Sequence, residues 1–539
     1  MSFWGAKRRR IYLGGRIETW ILRFAQNEKQ AEDFQMTQTI KNAMYTRIVP
    51  DKPRCACGIV GVYGHPDASL LTYYGLHALQ HRGQEAAGIA TRDFDTVHNR
   101  YHFNLVKGMG LVTDVFKDYR TVKEQLTGDA AIGHNRYSTA GSANKRSNIQ
   151  PFMVNYRDGN LALAHNGNLT NFRSLRNALQ TDGTIFQTTS DSEIVLHLIA
   201  RSREKDQIAQ ILHALNMIDG AFSLLLLTDN ALIAARDAHG FRPLALGIKD
   251  GHYIVASETC AFDLINARYL RDVAPGEVIV IDKNSTEEKP PQSLWLDRKP
   301  ATSHHCIFEF IYFSRPDSQI FGESVDKVRR RLGKSLAREA PVPPTGDDKA
   351  IVISVPDSSN TATLGFVTES IKQGIDTKME IGLIRNHYVG RTFIQPQQEE
   401  REMKVKTKYS TVKGVLKGRK VVLVDDSIVR GTTSKQLVKL LKEAEPKEIH
   451  FRITSPPIVN PCHWGMDFPS RQELIAVQCK EDVEKIRQEL GVDSIHYLSM
   501  EKLLESVPQG PGRGYCTACF GGEYPTDVEK TRDKNELES

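Results

Sequence analysis

The chain has 539 residues, 40% hydrophobic and 25% charged, which is enough for two full cores of ordinary globular composition. No apolar run reaches the roughly 18 uncharged residues that a membrane helix needs, and no signal peptide with a small-residue cleavage site opens it. A soluble, cytoplasmic protein is therefore expected. The net charge of +6 lies in residues 1–56, where 11 Lys/Arg less 5 Asp/Glu leave +6 and the remaining sequence holds 60 against 60; this argues against a distributed basic face for nucleic acid.

Residues 1–56 contain Lys7-Arg8-Arg9-Arg10 and no sustained period. They read as an appendage outside the fold: a pro-segment, an organellar transit segment, or sequence upstream of a true start near Met44. From Cys57 to about residue 290 short strand-like runs dominate: CGIVGVYG, AAIGHNRYS, LALAHNGNL, AFSLLLLTD, ALIAARDA, YIVASE and EVIVID. Helical patterns interrupt near 72–80 and 191–203, which predicts an α+β domain of antiparallel sheets over 57–290. The charged stretch around Pro290-Pro291 predicts a linker at 291–304. Beyond it, over 305–505, AIVISV, EIGLI, VVLVDD and EIHFRITS read as buried strands, with helices near 361–373 and in SKQLVKLLKEA. That alternation predicts an α/β domain with a mainly parallel sheet. Residues 506–539 form a C-terminal segment whose end, after Tyr524, is too charged to pack.

The eight cysteines are irregularly spaced and lack a secretory signal, so a reducing compartment is expected and each thiol is read in its own context. Cys260 and Cys479 read as core residues. Cys516-Thr517-Ala518-Cys519 is a C-x-x-C pair that suits zinc, a redox disulfide or a cluster.

The strongest phosphate signal is Val421-Val422-Leu423-Val424-Asp425-Asp426-Ser427-Ile428-Val429-Arg430-Gly431-Thr432-Thr433. An apolar strand brings two carboxylates to its C-terminal end, where ligands bind in open α/β sheets, and a small-residue loop then enters a helix whose free N–H groups cradle a phosphate. The run resembles the signature of the type I phosphoribosyltransferases. Val355-Pro356-Asp357-Ser358-Ser359 is similar to their diphosphate loop, and the stretch from Arg385 through Tyr388 to about Lys408 is similar to their closing loop. The resemblance implies that phosphoribosyl diphosphate is bound by Asp357, Ser358, Ser359, Arg385, Tyr388, Asp425, Asp426, Ser427, Arg430, Gly431, Thr432 and Thr433, with Mg²⁺ held through Ser359, Asp425 and Asp426. Arg385 and His387 stand where the family carries Lys and Arg, which leaves the contacts of that loop open.

Cys57-Gly58-Ile59-Val60-Gly61, His81-Arg82-Gly83-Gln84, His134-Asn135-Arg136-Tyr137-Ser138-Thr139, His165-Asn166-Gly167-Asn168 and Ser190-Asp191-Ser192-Glu193 together resemble the class II, N-terminal-nucleophile glutaminases. The resemblance implies that Cys57 is the nucleophile. Its own α-amine, with an unperturbed pKa near ~8, is then the base once residues 1–56 are removed. It further implies that Arg136 takes the substrate carboxylate, Asp191 the α-ammonium, Asn166 and Gly167 the oxyanion, and that Arg82 orders the nucleophile's surroundings. The histidines are read as structural. Cys55 is a rival nucleophile, disfavoured because GIVGVYG follows Cys57.

The two motif sets in this order resemble the amidophosphoribosyltransferase family over nearly all of residues 57–524, and its iron–sulfur branch in the contexts of Cys306, Cys462, Cys516 and Cys519. That resemblance implies conversion of glutamine, phosphoribosyl diphosphate and water into 5-phosphoribosylamine, glutamate and diphosphate, the first step of purine synthesis, with ammonia passed through a closed passage. It also implies Mg²⁺ and a [4Fe–4S] cluster as cofactors, purine nucleotides as inhibitors, and a homotetramer. Two rival readings stand beside it: a non-catalytic sensor keeping a phosphoribosyl site, and another class II amidotransferase. The intact glutaminase set and the phosphoribosyl signature argue against them in turn.

Overall fold

A computed structural model describes residues 57–137, 146–298, 300–343, 350–386, 407–468, 470–521 and 523–526, all within one compact unit, Asp51–Ser539. The expected appendage, Cys55, His387, Tyr388 and the charged tail after residue 526 lie outside these residues.

Among the described residues the N-terminal half carries thirteen strands: β1 (Gly58–Tyr63), β2 (Ala86–Asp95), β3 (Arg100–Met109), β4 (Ala130–Arg136), β5 (Phe152–Tyr156), β6 (Gly159–Leu169), β7 (Gly220–Thr228), β8 (Ala231–Arg236), β9 (Ala245–Lys249), β10 (His252–Ala256), β11 (Arg268–Asp272), β12 (Glu277–Asp282) and β13 (Gln292–Trp295). They form two antiparallel sheets in the orders β11-β9-β10-β1-β4-β2-β3 and β13-β12-β8-β7-β6-β5. Period-two alternation explains the layering. Ile59 and Tyr63 of β1 pack with Ile132, Leu225 and Leu232 between the sheets, while Val60 and Val62 face the helix Ala68–Ala78 on the other side. Gly75 lets that helix approach, since a Cβ there would lie 3.0 Å from Val60 Cγ1. On the far sheet, Leu163, Leu224 and Ile233 pack with Val195, Ile199, Ile211 and Leu215 of the helices Glu193–Arg201 and Gln207–Met217. Burial on both faces accounts for the near-continuous apolar runs, each large aliphatic side chain contributing about 1.5–3 kcal/mol.

In the C-terminal half five parallel strands run in the order Thr377–Met379, Ala350–Ser354, Lys420–Asp425, Glu448–Ile453, Ser494–Tyr497. The helices Asn360–Lys372 and Thr432–Lys442 lie close to their expected positions. The longest described helix, Val325–Glu339, packs against Asn360–Lys372 through two glycines: a Cβ on Gly333 would meet the Ala362 carbonyl at 1.8 Å, and one on Gly365 the Arg330 carbonyl at 2.2 Å.

Two local expectations are corrected. EIGLI does not join the parallel sheet; Leu383–Arg385 pairs antiparallel with Tyr409–Thr411, because Thr377–Met379 already occupies the sheet edge. Part of the expected linker is also structured, since β13 pairs with β12 from Val280↔Gln292 to Glu277↔Trp295. Just past the junction, His305–Cys306 pairs in parallel with Tyr515–Cys516 of the C-terminal segment.

Candidate functional site

β1 and β4 are neighbours, with Gly58 opposite Asn135, so Cys57 at the head of β1 comes to rest beside the end of β4. Its Sγ donates to the Tyr137 carbonyl at 3.4 Å and accepts from the Tyr137 N–H at 3.5 Å. Burial pushes the thiol up to about 11, against the lowering pull of the Tyr137 hydrogen bond and of Arg136. At neutral pH the sulfur is therefore a thiol that needs a base before it attacks.

Cys57 lies in the wall of a polar cavity together with Arg136, Tyr137, Asn148, Gln150, His165, Gly167, Ser190, Asp191 and Ser192. Asp191 is buried, and one of its oxygens accepts the Leu169 N–H at 2.9 Å. Gly167 has φ +155° and a Cβ there would stand 1.9 Å from the Ala221 carbonyl of the neighbouring strand β7, so only glycine fits at this point of β6. Asn166, fully buried, has neither its side-chain nitrogen nor its oxygen hydrogen-bonded among the described residues. A buried amide without partners is costly, and a ligand oxygen relieves that cost. Of the residues expected at this site, Cys57, Arg136, Gly167 and Asp191 line the cavity itself.

Arg82 does not. It lies behind the nucleophile, its Nε donating to the Cys57 carbonyl at 3.4 Å while its fork pairs with Glu258 and, at 2.7 Å, with Glu309. Glu258 also accepts from His81 at 2.7 Å and Ser318 at 2.7 Å; although burial raises its carboxyl, the electrostatic pull of His81 and Arg82 and the hydrogen bonds from His81 and Ser318 hold it well below the usual range. Gln150, which motif reading missed, and Ser192, which stood in a motif without an assigned role, hold His165 from two sides, at its N–H (2.7 Å) and its Nδ1 (2.8 Å). Burial keeps the His165 ring below its ordinary pKa and takes His134 down to about 3, so both are neutral.

The second site lies at the C-terminal ends of the parallel strands. Asp425 and Asp426 are buried, and Ser359 Oγ donates to Asp425 at 3.0 Å, Ser358 Oγ to Asp426 at 2.5 Å and Ser427 Oγ to Asp426 at 2.7 Å. The two loops expected from the motifs are thus in contact. Gly431, at φ +76°, caps the helix Thr432–Lys442, and a Cβ on it would meet Ile475 Cδ1 at 2.3 Å. Thr432 and Thr433 open that helix, and the N-terminus of a helix favours an anion. Arg430 pairs with Glu473 at 3.3 Å, and Arg385 with Asp357 at 3.1 Å.

The segment 461–468 of the C-terminal half packs against the first site. The His463 carbonyl accepts from Asn168 at 3.0 Å, and Trp464 O accepts from Arg242 at 2.6 and 3.0 Å. Gly465 lies so near Gly167 that a Cβ would come within 3.1 Å of it, and Asp467 meets Tyr137.

All described cysteines are free thiols. Cys306 is in register with Cys516, the Cys519 carbonyl accepts from Val459 and Asn460, and Cys462 Sγ accepts from the Trp464 N–H. Burial, and secondarily the neighbouring thiols, raise the proton affinity of Cys516 and Cys519, while Cys306 is pushed up to about 12, Arg242 opposing. Cys306, Cys462, Cys516 and Cys519 are therefore neighbours, although no group of three or more His, Cys, Asp or Glu among the described residues stands as a ready metal cage. Cys260 is in the core beside Phe262; Cys479 is only partly buried, at the edge of another core.

Residues 134–263 match the model of a glutamine amidotransferase domain. The chain is 49% identical over 485 residues to amidophosphoribosyltransferase 2, chloroplastic, of Arabidopsis thaliana, covering 90% of this chain and 81% of that one. It is 45% identical over 478 residues to amidophosphoribosyltransferase of Bacillus subtilis, covering 88% and 94%. A solved structure of glutamine phosphoribosylpyrophosphate amidotransferase from B. subtilis, complexed with ADP and GMP, superposes with a TM-score of 0.78 at 44% identity, covering 88% of this chain and 98% of that one. With such identity spread over both halves, the chain belongs to the amidophosphoribosyltransferase family.

Proposed function

We propose that this enzyme hydrolyses glutamine at Cys57 and uses the ammonia at the Asp425-Asp426 site to convert phosphoribosyl diphosphate into 5-phosphoribosylamine and diphosphate. The observation that carries the reading is one of chain order: the segment 461–468 touches Gly167 and Tyr137 of the cavity wall and the adjoining Asn168, and shortly after it in sequence Glu473 and Ile475 stand against Arg430 and Gly431.

At the first site the Cys57 α-amine, freed by removal of residues 1–56, takes the thiol proton, and Sγ attacks the side-chain carbonyl of glutamine. The developing oxyanion accepts from the Asn166 amide and the Gly167 N–H. Arg136 clasps the substrate carboxylate and Asp191 its ammonium. The C–N bond breaks, ammonia leaves, and water hydrolyses the thioester to glutamate. Ammonia reaching bulk water would be protonated and lose its lone pair, so a dry path between the sites preserves the nucleophile.

At the second site the helix entered at Thr432 and Thr433, together with Ser427, Arg430 and Gly431, cradles the 5-phosphate, and the loop Asp357-Ser358-Ser359 with Arg385 binds the diphosphate. Tyr388 belongs to the closing loop outside the described residues. The donor set suits Mg²⁺, which one or two carboxylates and substrate phosphates commonly hold: Ser359, Asp425 and Asp426 would bind it, and it would screen the leaving diphosphate's charge. For the four neighbouring thiols, a [4Fe–4S] cluster spreads its ligands over four irons and does not require a tight single-ion cage. Cys306, Cys462, Cys516 and Cys519 would hold it as a structural tie between the junction and the C-terminal segment; zinc is the competing occupant.

The nucleotides in the B. subtilis relative support purine nucleotides as regulators of this enzyme, and a homotetramer goes with that reading. Plant relatives are named chloroplastic; the basic segment 1–56 fits a transit role as well as a pro-segment, with the cytoplasm as the other destination. No described helix is long and apolar enough to cross a membrane.

The test is to mix anaerobically purified protein, Mg²⁺, phosphoribosyl diphosphate and glutamine, and to measure diphosphate and glutamate. Equal release of both supports the reading, and glutamate without diphosphate overturns it. Iron and acid-labile sulfide near about four each per chain support the cluster; active, colourless protein with zinc or no metal overturns that part.

A further inference from the structure

The charges behind Cys57 come from both halves of the chain. Arg82, Arg242 and Glu258 belong to the glutaminase half, whereas Glu309 opens the π-helical turn Glu309–Phe313 just past the junction. All four side chains are completely buried. Glu309 Oε1 accepts from Arg82 Nη2 at 2.7 Å and from Arg242 Nη1 at 3.1 Å, and Oε2 accepts from Ser314 Oγ at 2.8 Å. Two guanidiniums and two carboxylates make the cluster neutral. Without the Glu309 charge, Arg82 and Arg242, which already repel each other, would stand on either side of an uncharged group in a dry interior.

We propose that Glu309 is a positioning residue for glutamine hydrolysis: from the transferase half it holds the Arg82 fork so that Arg82 Nε stays against the Cys57 carbonyl, and it balances the guanidinium charge beside the nucleophile. The proposal rests on Cys57 being that nucleophile. Glu258 grips the other side of the Arg82 fork, but it is shared with His81, Ser318 and the Arg315 N–H. Of the described acidic partners of Arg82, Glu309 is the one that the transferase half itself supplies, while Glu258 belongs to the glutaminase half. Correct docking of that half therefore completes the nucleophile's surroundings. The other charged or thiol groups acting on Glu309 are Glu258, Arg236 and Cys306; those acting on Cys57 are Arg136, Glu85 and Asp191.

Glu309→Gln isolates the charge, because an amide keeps an oxygen for both guanidiniums and an NH₂ for Ser314. The full enzyme and the variant are alkylated with iodoacetamide across pH, and the Cys57 peptide is quantified by mass. An added local positive charge favours thiolate, so half-maximal alkylation is expected to move to lower pH by about half a unit, a roughly threefold change in thiolate at fixed pH. The acid limb of glutamine kcat/KM moves the same way, and ammonia-supported synthesis stays within about twofold. Coincident alkylation curves overturn the proposal. Glu309→Asp keeps the charge but shortens the reach: an unchanged midpoint with glutamine kcat reduced about threefold or more supports positioning, and unreduced glutamine kcat overturns it even if the Gln variant does not fold. If Cys57→Ser retains glutamine use, it is the nucleophile reading that fails instead.

Discussion

Tyr137 Oη lies 3.0 Å from Asp467 Oδ2, a bond between residues 330 positions apart that joins the glutaminase cavity to the transferase half. The backbone of the same Tyr137 brackets Cys57 Sγ, so a shift of Asp467 is felt within one residue of the sulfur. Tyr137→Phe removes the bond and keeps the ring. Glutamine-dependent synthesis is expected to fall about tenfold, in line with the ~1.5–3 kcal/mol of a hydrogen bond to a charged group, while ammonia-dependent synthesis holds. Steady-state assays with the two nitrogen donors check this; equal losses with both would mean a general structural fault.

Cys57→Ser should abolish glutamine use, by about a thousandfold or more, and leave synthesis from ammonia intact. Intact mass of the active enzyme should also begin at Cys57. Active protein retaining residues 1–56 would show that the α-amine is not the base.

Replacing Asn166 by Ala removes a buried amide that has no partner among the described residues. If that amide serves the oxyanion, kcat for glutamine drops about 10²–10³-fold with KM little changed. The stability change should be small, since no described hydrogen bond is lost. A normal kcat would assign the amide to another ligand.

Asp425→Asn and Asp426→Asn should remove phosphoribosyl transfer while basal glutamine hydrolysis survives, because the carboxylates sit at the ends of the parallel strands, outside the glutaminase sheets. Circular dichroism separates this from collapse of the transferase sheet, which Asp426 also supports through Ser358 and Ser427.

His134 is expected to make the glutaminase half acid-labile. Its folded pKa, about 3, lies below the unfolded value of 6.5 because of burial. The unfolded chain therefore binds the proton first; stability is complete above about pH 6.5 and is lost as pH falls toward 3. By pH 5 the loss is about 2 kcal/mol from this residue, with His165, which burial also holds neutral, adding to it. His134→Gln should flatten the decline in Tm between pH 7 and 5, whatever it does to Tm at pH 7. An unchanged slope would mean that other groups dominate acid unfolding.

The segments whose chemistry is local were legible from residues alone. Val421–Asp426 reads as a buried strand ending in two carboxylates, and Ser427–Thr433 as a small-residue entry to a helix, because strand, loop and cap are consecutive. β1, β4, β6 and β7 read equally well, being apolar on both faces. The helix Val325–Glu339 escaped: its inward face includes Arg329, which is buried with its nitrogens on the Phe310 and Ser314 carbonyls, so its apolar stripe is broken by charge. The strand Leu383–Arg385 was recognised but not its partner, since apolar character does not specify which edge a strand joins.

By itself, then, the order of residues determined which side chains stand at the candidate sites: Cys57 before β1, Asn166-Gly167 late in β6, Asp191 ahead of its helix, and Asp425-Asp426 at a strand's end. Only the tertiary structure decided what stands behind them. Glu309 with Arg82, Arg242 with Trp464, Gly465 with Gly167, and Cys306 with Cys516 are contacts between residues far apart in the chain. Each partner's sequence neighbourhood is unexceptional, and it is the docking of two separately built sheet systems that closes these pairs in an interior too dry to leave either member unpaired.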